Sequence, residues 1–85
     1  MHAVYMLQND VTKEIYIGYT KDLKARLATH NARGAKYTTR VQGTWAYVYI
    51  ELYRNKSDAQ AREQKLKHHG SGKQKLLARL PHSLL

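Results

Sequence analysis

Glu63 is the residue least at ease in its surroundings. Between 57 and 70 the chain reads as a helix, and Ala59, Glu63 and Leu66 fall on one face of it. Ala59 and Leu66 must point inward for such a helix to dock, and Glu63 goes with them. A carboxylate beside an apolar stripe is costly unless it is paired or bound to a metal. Two chemistries satisfy it. One is a salt bridge to a lysine or arginine. The other is a divalent cation in a cleft. A lone carboxylate suits Mg2+ or Mn2+ there, because such an ion keeps several waters and takes further ligands from substrate phosphates.

A cation and a base share another helical stretch, 20–32. Leu23 and Leu27 mark its inner face, with Arg26 and His30 beside them and part of the Arg26 stem covered. The planar fork of Arg26 matches a phosphoryl oxygen whose charge grows in a transition state. On an ordinary amphipathic helix it would instead snorkel to water. His30, one turn later, is either a boundary histidine or a proton carrier. Tyr5 and Tyr16 lie on neighbouring strands, where tyrosine is common in plain packing. A phenol that orients or deprotonates a water needs positive charge nearby, since its ordinary pKa is about 10. Lys13 and His30 are the candidates for that charge.

These side chains need a scaffold. Residues 3–7 are apolar around an aromatic and read as a buried strand. Residues 8–13 hold Asn9-Asp10, a turn signal. Residues 14–19 form a second strand, with Gly18 marking a close backbone approach. The short link makes the pair an antiparallel hairpin. Thr20 is placed to cap the following helix, with Asp22 in its first turn and Gly34 as its stop. Residues 35–43 make a basic loop. In the third strand, 44–53, alternation puts Trp45, Tyr47, Tyr49 and Glu51 on one side and Ala46, Val48, Ile50 and Leu52 on the other. Ser57 opens the second helix with Gln60 completing a capping box. Gly70-Ser71-Gly72 reads as a turn, and 73–79 as a short basic helix closed by Pro81. The order β-β-α-β-α-α predicts an α+β domain: a three-stranded antiparallel sheet whose apolar face the helices cover.

Bulk composition narrows the function classes. Eighty-five residues suffice for one domain, 1–85, with a modest core. Cysteine is absent, which excludes disulfides and thiolate-bound metals and fits a cytoplasmic location. Nothing approaches the roughly 20 apolar residues of a membrane span. Residues 1–10 alternate like a strand and not like a signal peptide, so no membrane partner is expected. Fifteen Lys and Arg against six Asp and Glu give a formal charge of +9. That density favours polyanions through neutralisation and counterion release. Lys13, Lys36, Tyr37, Arg40, Lys73 and Lys75 are the expected nucleic-acid contacts, joined by Arg54 and Lys56, while Trp45 either stacks on bases or packs. Such a surface serves a cutting enzyme and a non-cutting binding module alike.

Ala3-Val4-Tyr5, ten residues, then Tyr16-Ile17-Gly18 resembles the paired motif of the GIY-YIG nuclease superfamily. Thr20, Asp22-Leu23, Arg26-Leu27, His30-Asn31, Gly34, Lys36-Tyr37-Thr38, Ala61-Arg62-Glu63 and Leu66-Lys67 follow in order. The resemblance is strongest over 3–75. It is closest to the small stand-alone members, similar to the nuclease domain of the bacterial excision-repair incision subunit. Ala3 and Val4 replace the first glycine and isoleucine. Residues 70–75, where many relatives place an asparagine, read Gly-Ser-Gly-Lys-Gln-Lys. The resemblance implies a sheet with the 3–7 strand in the middle, and one-metal hydrolysis of phosphodiester bonds, DNA being the expected substrate. It implies that Glu63 binds Mg2+ or Mn2+, that Arg26 stabilises the scissile phosphate, and that Tyr5 or Tyr16 is the general base with His30 nearby. With no second domain to target a DNA structure, either a protein partner supplies specificity or specificity is weak. The five residues are expected to converge on one concave surface, with the loop around Lys36 at its rim.

Overall fold

The computed structural model describes residues 1–32, 43–68 and 70–85. They form β1 (His2–Asn9), β2 (Ile15–Thr20), α1 (Leu23–Asn31), β3 (Trp45–Tyr53), α2 (Lys56–His68) and α3 (Gly70–Ala78). The sheet is antiparallel throughout, in the order β2-β1-β3. β1 takes the centre because it is the strand with apolar side chains on both faces. Ala3, Val4, Tyr5, Met6 and Leu7 are all buried. Asn9 shapes the hairpin turn, its Oδ1 accepting the backbone N–H groups of Val11 and Thr12 at 2.9 and 3.0 Å. Lys13 closes the turn in the left-handed region, at φ 64°.

The helices do not share one face, which corrects the expectation from sequence. Period-two alternation sends Tyr5 and Leu7 to one side of β1, and there they pack with Trp45, Leu23 and Leu27. Val4 and Met6 point the opposite way, into a cluster with Ile17, Ala59 and Leu66 of α2, and Leu76 of α3. The sheet is therefore clasped by α1 on one face and by α2 with α3 on the other. Trp45 is buried in the first cluster, so it packs and does not stack on bases.

Alternation in β3 also fails at one point. Met6 faces Tyr49 and Leu7 faces Tyr47, so Val48 is an extra residue. The bulge keeps Trp45 and Tyr47 on the α1 side and turns Tyr49, Glu51 and Tyr53 toward α2. There the Glu51 carboxylate accepts hydrogen bonds from Tyr49 (2.7 Å), Tyr53 (2.6 Å) and the Arg62 Nε (2.9 Å). This network fastens α2 to the sheet. Burial pushes the Glu51 carboxyl up, but hydrogen bonds from Arg62, Tyr53 and Tyr49 outweigh it and hold the group below its usual 4.5. A depressed folded value means that the stabilisation is complete above the unfolded pKa and is lost as pH falls through the folded one. Denaturant melts between pH 7 and pH 3 are expected to show acid destabilisation below about pH 4.5. Glu51→Gln is expected to be less stable at pH 7 and to show a shallower acid limb. Parallel pH curves for the two proteins would remove Glu51 from this role.

The helix ends fall beside the expected caps. Asp22, not Thr20, caps α1, accepting the Ala25 N–H at 3.0 Å. Thr20 instead accepts the Asp22 N–H at 3.1 Å, one step earlier. Asn55, not Ser57, accepts at the start of α2, from the Asp58 N–H at 3.1 Å. Gly70-Ser71-Gly72 is not a turn but the first turn of α3. At the far end of α1, the Asn31 amide pairs with both backbone groups of Trp45, at 2.8 and 3.1 Å. That pair ties α1 to the first residue of β3.

Candidate active site

The site forms where β1 and β2 pair around Gly18. Tyr5 stands opposite Gly18, and its ring lies across that residue toward the β2 edge. A Cβ on Gly18 would come within 2.5 Å of the Tyr5 Cζ. Glycine is thus required by the phenol passing over it and not by backbone conformation. Gly18→Ala is expected to cost about 1–3 kcal/mol, the usual range for overpacking a tight contact, and to displace Tyr5. Chemical denaturation would read the loss. Unchanged stability would mean that the ring has room to move.

Tyr5 is nearly sealed, at 1% exposure, and its hydroxyl is 3.0 Å from Nε2 of His30, itself 2% exposed. Tyr16, half-buried on the edge strand, sets its ring 4.9 Å from the His30 ring and 6.4 Å from that of Tyr5. Tyr47 packs edge-on against Tyr5 and donates its hydroxyl to the Leu23 carbonyl, closing the cluster under α1. Burial, followed by the Arg26 charge, holds His30 below its ordinary pKa, so the imidazole is neutral at pH 7. With the ring proton on Nδ1, Nε2 accepts from Tyr5; with it on Nε2, the imidazole donates to the phenol oxygen. Burial pushes the Tyr5 phenol far above its usual range. Tyr16, Tyr47 and Glu63 push the same way, and the Arg26 charge opposes them.

Arg26 and Glu63 therefore bracket Tyr5 electrostatically, though they come from opposite faces of the sheet. Arg26 is exposed at the rim of α1, not partly covered as its neighbours Leu23 and Leu27 suggested. It lines a shallow cleft with Tyr19, Thr20, Asp22 and Thr29. Glu63 approaches from α2, its side chain only 14% exposed. It pairs with Lys67, one turn on, at 3.1 Å. The Lys67 ammonium also sits 5.8 Å from the centre of the Tyr16 ring. The reach of Lys67 around β2 connects the α2 side to the phenols. The sequence offered Lys13 and His30 as the charge near the tyrosines, and His30 does lie beside both phenols, though neutral. Lys13 lies exposed in the hairpin turn, and Lys67 holds that place. Its signal was the i, i+4 spacing from Glu63.

Among the described residues, no three His, Asp or Glu side chains gather as a metal-binding group. The donor set is one shielded carboxylate with a single ammonium on it. That fits a hydrated divalent ion held through one carboxylate, once Lys67 gives way. Lys73 is half-buried and lines a cavity beside Tyr16, while Lys75, Arg54 and Lys56 are exposed. Lys36, Tyr37 and Arg40 lie outside the described residues.

The sequence pattern of the GIY-YIG catalytic domain matches residues 1–75. The chain belongs to the GIY-YIG family. The small stand-alone type is also found among its relatives. A protein named UPF0213 protein SH2523 from Staphylococcus haemolyticus is 42% identical over 67 residues, covering 78% of this chain and 79% of the relative. UPF0213 protein SpyM3_1077 from Streptococcus pyogenes is 46% identical over 67 residues, covering 78% of this chain and 72% of that one. The solution NMR structure of UPF0213 protein BH0048 from Bacillus halodurans shares the fold at a TM-score of 0.57 and 33% identity, covering 94% of this chain and 84% of that chain. GIY-YIG membership implies a nuclease superfamily fold and a nucleic-acid substrate. The names of these relatives state no activity. No helix of the described residues is long and apolar enough to cross a membrane.

Proposed function

We propose that this GIY-YIG domain is a metal-dependent endonuclease that hydrolyses phosphodiester bonds, with DNA as its substrate and one Mg2+ or Mn2+ at Glu63. The observation that carries the reading is the set around Gly18. Two phenols, a neutral imidazole, a guanidinium and a shielded carboxylate approach one sheet edge from both faces. A core assembled only for packing has no need of that mixture.

The residues divide the work. Arg26, exposed at the rim, places its fork on the scissile phosphate and stabilises the charge that grows there. Glu63 would hold the divalent ion, which would supply charge neutralisation at the phosphate when bound. Tyr5 is too firmly protonated to act as a phenolate. Substrate entry must open the sealed Tyr5 hydroxyl to the attacking water; the phenol oxygen then takes the water's proton while its own proton passes along the 3.0 Å hydrogen bond to Nε2 of His30 in the Nδ1–H tautomer. The imidazole ends as imidazolium, and the phenol is unchanged. Tyr16 flanks the attacking water from the edge strand. Lys13, Lys73 and Lys75, with Lys36, Tyr37 and Arg40, carry the neighbouring backbone, and a protein partner supplies the choice of DNA structure.

One observation favours a second reading, a basic module that binds nucleic acid without cutting it. The Lys67–Glu63 pair satisfies the carboxylate with no metal at all. The deciding experiment incubates pure protein with end-labelled DNA and RNA in Mg2+ or Mn2+ and resolves the products on a denaturing gel. Cleavage of DNA that disappears in Glu63→Gln supports the nuclease. Salt-sensitive binding with no product supports the module.

A further inference from the structure

Lys67 is shared between two places. Its ammonium is 3.1 Å from Glu63 Oε2, and it also lines a cavity of about 330 Å³ with Ile15, Tyr16, Ile17, Leu66 and Lys73. Lys73 comes from α3, so two lysines from different helices line one cavity. The floor is apolar, built from Ile15, Ile17 and Leu66. Glu63 is not among the lining residues. A pocket lined by two lysines and by no carboxylate favours an anion.

We propose that this cavity is a phosphate subsite for the polynucleotide backbone, and that Lys67 serves either that phosphate or Glu63. Helical pairs at i, i+4 are individually weak, and the Lys67 side chain is 35% exposed, so its ammonium can swing to a phosphate in the cavity; the cost of that departure falls on Glu63, whose side chain is only 14% exposed. The departure strips Glu63 of its cation, which is the condition that a hydrated divalent ion requires. Backbone binding and ion binding then favour each other, each tightening the other by the same factor. The link to the ion rests on the nuclease reading. The subsite itself does not.

The test needs neither metal nor turnover. A fluorescent single-stranded DNA with phosphorothioate linkages is titrated in EDTA across a salt series and read by anisotropy. The proteins are wild type, Glu63→Gln, Lys67→Met, the double variant and Lys73→Met, each checked for folding by circular dichroism. Lys67→Met and Lys73→Met should each weaken binding by about 3- to 10-fold and lower the salt slope by about one. Glu63→Gln should tighten binding about 3-fold by releasing Lys67 (~0.65 kcal/mol at RT ≈ 0.59), and should give no gain in the Lys67→Met background. An equal gain in both backgrounds overturns the shared role of Lys67. Unchanged affinity and slope in Lys73→Met overturns the subsite, and that variant leaves the Glu63 pair untouched should Lys67→Met fold poorly. Inorganic triphosphate is run beside the DNA. The same pattern with triphosphate and none with DNA would make this a small-anion site and overturn the polynucleotide assignment. A protein that shows the coupling but never cuts loses the nuclease reading alone. One that cuts through Glu63 with additive variants loses this inference alone.

Discussion

Glu63→Gln is expected to lower metal-dependent cleavage by a factor of about a thousand or more, without weakening DNA binding in EDTA. A metal ion contributes several kcal/mol of transition-state charge stabilisation, and each 1.36 kcal/mol is tenfold in rate. Glutamine keeps the shape of the side chain and removes the anionic ligand. The described residues offer no cluster of other ligands to compensate. Folding should survive. The substitution costs one i, i+4 ion pair, of a kind worth about 0.3–0.5 kcal/mol on exposed helices, and leaves a neutral amide in place of a shielded carboxylate, while the Ala59 and Leu66 contacts that dock α2 stay in place. Single-turnover rates at saturating Mg2+, with a thermal melt on the same preparations, measure both halves. Equal cleavage by the two proteins would sink the one-metal reading. A fall in cleavage accompanied by unfolding would return Glu63 to a structural role.

Much of this arrangement was legible in the residues, and the parts that were not have physical reasons. The hairpin followed from two β-rich runs with Asn9-Asp10 between them. The contact of Tyr5, Tyr16 and His30 follows the motif spacing, whereas Arg26, exposed on α1, and Glu63, on the other face, meet them only through their charges on Tyr5. The two-sided clasp was written in Ala3-Val4-Tyr5-Met6-Leu7, which is apolar on both faces, but a buried strand does not say which helix lies on which side. The bulge at Val48 left no mark, because an extra valine in a β-rich strand looks like any other residue. The caps slipped because Thr20 and Asp22, like Ser57 and Asn55, are all competent cap residues, and only the helix axis chooses between them. Lys67 was hidden by its ordinary type. A lysine four residues after a glutamate reads as helix decoration until the sheet edge brings Tyr16 beneath it.

Arg26→Ala is expected to lower turnover by about 100-fold or more, by comparison with removal of one oxyanion donor, and to change KM little. The guanidinium meets the phosphate most strongly when its charge peaks. Loss confined to the transition state lowers kcat and kcat/KM together. The pH dependence carries a second signature. The Arg26 charge, after burial, is what holds His30 down, and it also opposes the upward push on Tyr5. His30 must be neutral to receive the proton from Tyr5, so activity rises as pH climbs through the His30 pKa. Removing the arginine lets that pKa rise, and the acid limb of the pH–rate profile moves to higher pH. Arg26→Lys separates the two effects. Lysine restores a point charge but not a planar fork, so its acid limb should stay near that of the wild type while its rate remains well below it. If Arg26→Ala raises KM and leaves kcat alone, Arg26 only holds the ground-state backbone, and the charge of the transition state must be met elsewhere.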